Sequence, residues 1–308
     1  VWGKRRDSTG NHWLNDAVRG ATKGLHSDST NTEYTDATVM NAFNSDGFTV
    51  VSHAISNASS ATYVAWNWLA STAFSNDASA TSVGTIDSSG QVNATAGFSI
   101  VSYTGTGSAG TIAHGLSAAP EMLIVKNRDT GRDWMVYHSA LGATKRIWLN
   151  YTLGEDSGTA ASATWNDTAP TSTVFSVGTN IHANESGDDF ICYAFHSVEG
   201  YSKVGSYVGN SNAEGAFVYT GFRPAWIMTK STSGGTQWMI YDNKRLGFNV
   251  DNNGLYADAT AAEATDNDID LVSNGFKLRR SSTNFNNSSH TYIYLAFADQ
   301  PFKFSNAR

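Results

Sequence analysis

Apolar residues crowd into three six-residue runs: YVAWNW at 63–68, FICYAF at 190–195 and YIYLAF at 292–297. Each run begins and ends on an aromatic ring. Alternate residues of an extended chain face opposite ways. Both faces of these runs are largely apolar, which predicts strands buried on both sides, as in the middle of a sandwich. Around each run the same order of shorter apolar segments and turns recurs. In one stretch, Gly97-Phe98-Ser99-Ile100-Val101 leads to a corner ending at Pro120, then to Met122-Leu123-Ile124-Val125-Lys126, Trp134-Met135-Val136-Tyr137 and Val174-Phe175-Ser176-Val177. In another, the counterparts are Gly200-Tyr201-Ser202-Lys203-Val204, the corner Gly221-Phe222-Arg223-Pro224, Ala225-Trp226-Ile227-Met228-Thr229-Lys230, Trp238-Met239-Ile240-Tyr241 and Gly275-Phe276-Lys277-Leu278.

Spacing supports a repeat. Fourteen residues separate Pro120 from Trp134 and Pro224 from Trp238. Twenty, 20 and 21 separate Phe48 from Trp68, Phe175 from Phe195 and Phe276 from Phe297. Gly20-Ala21-Thr22-Lys23 recurs as Gly142-Ala143-Thr144-Lys145. Trp13-Leu14-Asn15-Asp16 aligns with Trp134–Tyr137 in this reading. The chain is therefore expected to be all-β: tandem antiparallel β-sandwich repeat units, lectin-like or jelly-roll-like. The expected divisions are a first unit at 1–70, truncated at its start, a Ser/Thr-rich connector or hairpin at 71–95, a second unit at 96–198 and a third at 199–308. The best helix candidate is the short stretch Thr260–Thr265. The abrupt opening at Val1 fits a longer parent protein.

Composition narrows the function. Charged residues make up only 15%, below the roughly 25% common in soluble chains. Ser, Thr, Asn and Gly supply the polarity instead. A net charge of −7 argues against nucleic acid as a partner, because phosphate binding needs a basic stripe. No apolar run is long enough for a membrane helix, and no signal peptide is present, so no membrane partner is expected. The single cysteine, Cys192, lies inside the second aromatic run and reads as a small buried residue; an internal disulfide is excluded.

Catalytic chemistry finds little support. Acids are scattered over loops, with no pair that the sequence can set across a sugar site. Asp266-Asn267-Asp268-Ile269-Asp270 resembles the start of a calcium loop. Leu271 and Lys277 stand where an EF-hand needs glycine and glutamate, so the motif fails. The eight histidines form no H-x-x-x-H pair. No metal, no cofactor and no enzyme activity is expected. Binding has two candidates. Trp165, beside Asn166 and Asp167 in a polar stretch, suits stacking on a sugar with amide hydrogen bonds, or plugging an interface between units or subunits. Asn184 lies in a polar turn, residues 182–189, that reads as a hairpin tip.

Several phrases are familiar. Ala96-Gly97-Phe98-Ser99-Ile100-Val101-Ser102-Tyr103-Thr104-Gly105, Trp165-Asn166-Asp167-Thr168-Ala169-Pro170, Tyr219-Thr220-Gly221-Phe222-Arg223-Pro224 and Ser273-Asn274-Gly275-Phe276-Lys277-Leu278 resemble segments of tail-fibre-like virion structural proteins of marine bacteriophages. The resemblance spans nearly the whole chain and implies a non-enzymatic protein on the virion surface, made in the host cytoplasm. It implies a tail-fibre or surface adhesin contacting host glycans or a receptor, partnered by other virion proteins and by its own copies as a homo-oligomer, often a trimer. The rivals are a head-decoration or scaffold protein that binds no receptor, and a polysaccharide-degrading enzyme.

Overall fold

The computed structural model describes residues 1–246, 249, 252–266 and 269–300, and the statements below concern these. The protein is all-β, with only three short helices, Ala78–Thr81, Thr159–Trp165 and Ile181–Asn184. Three larger antiparallel sheets share one strand order. In the second unit a leading strand, Phe98–Thr104, pairs with the aromatic strand Asp189–Phe195. That strand pairs with a lysine-bearing strand, Met122–Asn127, followed by Met135–His138 and Ile147–Trp148. In the third unit the same places are held by Ser202–Val208, Thr291–Ala298, Pro224–Ser231, Met239–Asp242 and Asn252–Tyr256. The first unit has Tyr63–Trp66, Trp2–Arg5, Trp13–Asn15 and Lys23–Leu25, and no leading strand.

Each sheet has two faces with different duties. The outer face carries a private core beneath a smaller sheet: Met40–Asn44 with Gly47–Val50, then Gly110–Ala113 with Val174–Val177, then Phe217–Tyr219 with Gly275–Leu278 and Ile269–Val272. The inner faces of all three sheets share one central core. It takes Trp66, Tyr193 and Leu295 from matching positions, and Ile124, Met228 and Trp2 likewise. Trp68, Phe195 and Phe297 meet there with ring centroids 5.7–6.5 Å apart.

The pairing register corrects one alignment. Leu14 lies opposite Trp2 as Val136 lies opposite Ile124, so Trp13 matches Met135, and His12 matches Trp134. A slip of one residue turns every side chain to the other face. Trp13 accordingly belongs to the outer core of the first unit, while Trp134 faces the shared centre. Trp13 fits because its partner is Gly3: a Cβ there would lie 2.1 Å from the indole. The recurring Gly-Ala-Thr-Lys is also explained. Gly20 and Gly142 have φ of +104° and +80°, where glycine is favoured. Lys23 pairs with Glu33, and Lys145 with Glu155.

The units hold one another through buried polar groups, and the grips close in a ring. Lys126 Nζ donates to the Thr30 carbonyl at 3.1 Å, second unit to first. Lys230 Nζ reaches the Tyr151 carbonyl at 3.1 Å, third to second. Lys4 Nζ reaches the Thr260 carbonyl at 3.2 Å, first to third. All three lysines are buried, and burial lowers each from its ordinary value to about 8. Ring nitrogens repeat the circuit. Trp134 Nε1 donates to the His26 carbonyl and Trp238 Nε1 to that of Trp148, while His12 Nε2 meets that of Tyr256. Backbone bonds do so again, from Glu33, Glu155 and Glu263 to Arg128, Thr232 and Arg6.

Two of the three junctions add ion clusters. Arg19 joins Asp16 (2.6 Å) and Glu33 (3.2 Å), Arg128 of the second unit also binds Glu33, and Tyr193 donates to Asp16. At the matching place Arg245 joins Asp242 (2.7 Å) and Glu263 (2.6 Å), Arg6 of the first unit binds Glu263, and Trp66 Nε1 donates to Asp242. The junction between second and third units has Leu141 in the arginine's place, His138 in the aspartate's and Thr232 in the second arginine's. There His138 Nε2 meets the Tyr294 carbonyl at 3.4 Å, and Leu141 packs against the shared core.

Two expectations are corrected. The run 63–68 is not buried on both sides: Tyr63–Trp66 is the edge of its sheet, and Tyr63, Val64 and Ala65 are half-buried. Thr260–Thr265 is not helical; Ala264–Asp266 is a strand. Of the two readings of 71–95, the hairpin is what forms. Thr72–Asn76 pairs with Ser88–Asn93, which extends the second sheet beside Phe98–Thr104.

Two predictions follow from these contacts. Arg19→Leu, copying Leu141 alone, leaves the buried Asp16 carboxylate without its cation, while Glu33 keeps Arg128 and Lys23, and should cost about 3–5 kcal/mol in urea unfolding. The second concerns Asp258. Its carboxyl is raised to about 6, chiefly by burial; Oδ1 accepts the Trp238 amide, and Oδ2 has no partner. In the second unit Asn150 stands there and donates to Asp133, whereas Gln237 Oε1, at Asp133's place, lacks a donor. A raised folded pKa means stability that is complete below the unfolded value near 4 and lost as pH rises through 6. Asp258→Asn should therefore add roughly 1–2 kcal/mol at pH 8 and nothing at pH 4, read by urea unfolding at the two pH values.

Candidate functional site

A cavity of about 840 Å³ opens beside the first unit, where its inner face meets the edge of the second sheet. Its apolar wall is aromatic: Trp68, Phe98, Phe195 and Trp226, with Met228 and Leu295 behind them. These side chains gather because the aromatic strands deliver their last rings to the shared centre. The Trp68 and Trp226 rings meet edge to face at 5.4 Å. The polar rim comes from Asn15, Asp16, Asn67, Gln91 and the turn at 44–47.

Asp16 is not free for chemistry. Its Oδ1 accepts the amides of Val18 and Arg19, and its Oδ2 accepts Arg19 Nε and the Tyr193 hydroxyl. Burial pushes its carboxyl up, and the Arg19 charge together with the hydrogen bonds from Arg19 and Tyr193 outweighs this and holds it below the ordinary range. Asn15 differs: its amide donates to the Ala21 carbonyl, while Oδ1 is buried without a donor. The cavity can thus take a flat apolar or aromatic group against indole faces. Among the described residues, no three His, Cys, Asp or Glu side chains are placed to hold a metal ion.

The residues singled out from sequence lie elsewhere. Trp165 ends the helix Thr159–Trp165 and is 1% exposed, packed edge to face on Tyr137 at 5.9 Å in the second unit's own core. An indole so placed offers no face to a sugar, which corrects the surface-stacking expectation. It packs inside the second unit rather than between units. Asn166 and Asp167 are exposed, in left-handed conformations that end the helix. Asn184 is fully buried. It accepts the Thr106 amide and donates to the carbonyls of Ser108 and Gly178, so its amide is committed to the loop. Asn286 makes the same three bonds in the third unit, and Asn57 makes one of them in the first. That role was readable: an asparagine stands six residues ahead of each aromatic run. Of the suspected calcium stretch, Asn267 and Asp268 lie outside the described residues, and Asp270 faces Arg279 at 3.4 Å.

The chain belongs to the DUF7483 family. This is a domain of unknown function, and it matches residues 1–301. No curated protein and no solved structure matches the chain.

In this DUF7483 domain, Trp165→Ala should cost about 3–5 kcal/mol by thermal or urea unfolding. Trp165→Phe should cost much less, because the indole Nε1 has no hydrogen bond to lose. Asn166→Ala with Asp167→Ala should cost about 1–2 kcal/mol although both side chains are exposed, because both positions hold the left-handed conformation that Asn and Asp tolerate better than Ala.

Proposed function

We propose that this protein is a non-enzymatic component of a bacteriophage virion, a tail-fibre-like or surface adhesin that contacts the host cell surface. The sequence resemblance to virion structural proteins supplies the setting. The observation that carries the reading is where the buried polar groups are spent. Lys4, Lys126, Lys230, Arg19 and Arg245 all bind within or between units, so the chain is built to hold a shape. Such a body suits a particle exposed to shear and proteases. Its weakly charged Ser/Thr/Asn surface suits contact with glycans, which are met by stacking and short hydrogen bonds. A homo-oligomer, a trimer in the expected case, would multiply those contacts into avidity.

Two measurements test the proposal. Antibody against the purified chain should decorate intact particles by electron microscopy, on the tail or its fibres. The purified protein should adsorb to susceptible cells and slow infection in competition. Absence of label on intact particles overturns the virion assignment. Label confined to the head, with no adsorption, overturns the adhesin and favours decoration.

A further inference from the structure

The first unit is open along one flank, and the other two units show what covers that place. In the second unit, Phe98–Thr104 pairs with the whole aromatic strand, from Phe98 opposite Phe195 to Thr104 opposite Asp189. In the third, Ser202–Val208 does the same against Thr291–Ala298. Each leading strand is followed by a short strand that covers the outer sheet: Ile112 lies opposite Phe175, and Val218 opposite Phe276. The first unit has neither. Tyr63–Trp66 pairs only with Trp2–Arg5, and Gly47–Val50 pairs only with Met40–Asn44.

Exposure follows the missing cover. Phe190 and Tyr292 are fully buried while Tyr63 is half-buried; Phe175 and Phe276 are buried while Phe48 is not. Tyr63 keeps the third unit's local arrangement: its hydroxyl donates to the carbonyl nine residues back and accepts the amide five back, as Tyr292's does. What it lacks is the stacked ring. Tyr103 lies on Phe190 at 5.2 Å and 8°, and Tyr207 on Tyr292 at 5.1 Å and 12°. The cavity belongs to the same pattern. Met122 and Trp226 pair with Phe195 and Phe297 in the centre, and no described residue pairs so with Trp68, against which the cavity lies.

We propose that this flank is a docking site for an extended peptide segment patterned like residues 98–122 of this chain. Its first strand adds to the free edge of Tyr63–Trp66 and sets an aromatic ring on Tyr63. Its second strand pairs with Gly47–Val50. Its last large apolar side chain fills the cavity beside Trp68. Main-chain hydrogen bonds supply affinity, and the alternate side chains supply selectivity. The inference rests on geometry alone and is independent of the adhesin assignment.

The test uses the 308-residue chain and synthetic peptides copying residues 96–122. Calorimetry should show saturable 1:1 binding with a Kd of about 10 μM or tighter. Hydrogen exchange should slow at residues 63–66 and 47–50 when the peptide is present. A peptide with Tyr103→Ala should bind at least about tenfold more weakly, and one with Val101→Pro and Ser102→Pro should not bind, because proline cannot donate to the ladder. No binding of the parent peptide, or equal binding of the proline peptide, overturns the proposal. So does protection of 63–66 that rises with protein concentration without peptide, which would make a second copy the occupant.

Discussion

A buried ammonium reaching a carbonyl in the neighbouring unit is the contact on which this architecture turns. A charged lysine side chain is costly to hide unless its donors are met. Lys126 meets this condition with two carbonyls, from Thr30 across the junction and Arg132 in its own unit. Lys230 likewise bonds the carbonyls of Tyr151 and Thr236. Neither lysine is satisfied until the adjoining unit is in place. The shared apolar core is non-directional and tolerates many arrangements. The lysines, with the ring nitrogens that run alongside them, select one.

The three junctions are alike in backbone and unlike in chemistry. Two carry a carboxylate–arginine–carboxylate–arginine chain; the third has Leu141 and Leu295 where the others have an arginine and an aromatic donor. Buried ion clusters and apolar packing are often near equal in net stability, while half a cluster is far worse than either. That arithmetic explains why the positions differ as sets. Asp16, Arg19 and Arg128 are all polar, and His138, Leu141 and Thr232 have left the pattern together. The asymmetry also makes each junction chemically distinct from the one it most resembles in backbone.

Much of the fold was legible because aromatic strands carry their pattern openly. The three six-residue runs align as the sequence indicates, with Tyr63, Phe190 and Tyr292 opposite Arg5, Asn127 and Ser231. What the pattern did not reveal has definite causes. Trp13 looks like Trp134, but Gly3 opposite makes room for it on the other face, and local identity misled by one residue. Lys126 and Lys230 stand near the ends of apolar strands, and nothing in their neighbours in sequence marks them as buried. Their burial depends on carbonyls 96 and 79 residues away, which no local signal records. Trp165 sits among polar neighbours that proved to be a helix end, so its surroundings in sequence were not its surroundings in space. The cavity was invisible because it is made by three units at once.

The ring of grips has a consequence for how the chain is made. Lys4, Arg6 and His12 complete their bonds only with Thr260, Glu263 and Tyr256, more than 240 positions downstream. A ribosome releases the first unit long before its final partners exist. Contacts at such sequence separation form late and slowly, and strands left open meanwhile are prone to mispairing. The second unit can settle against the first during synthesis, but Trp2 and Lys4 must wait for the third. Until that last seam closes, the groups that will fill it stay open to mispairing in the newborn chain.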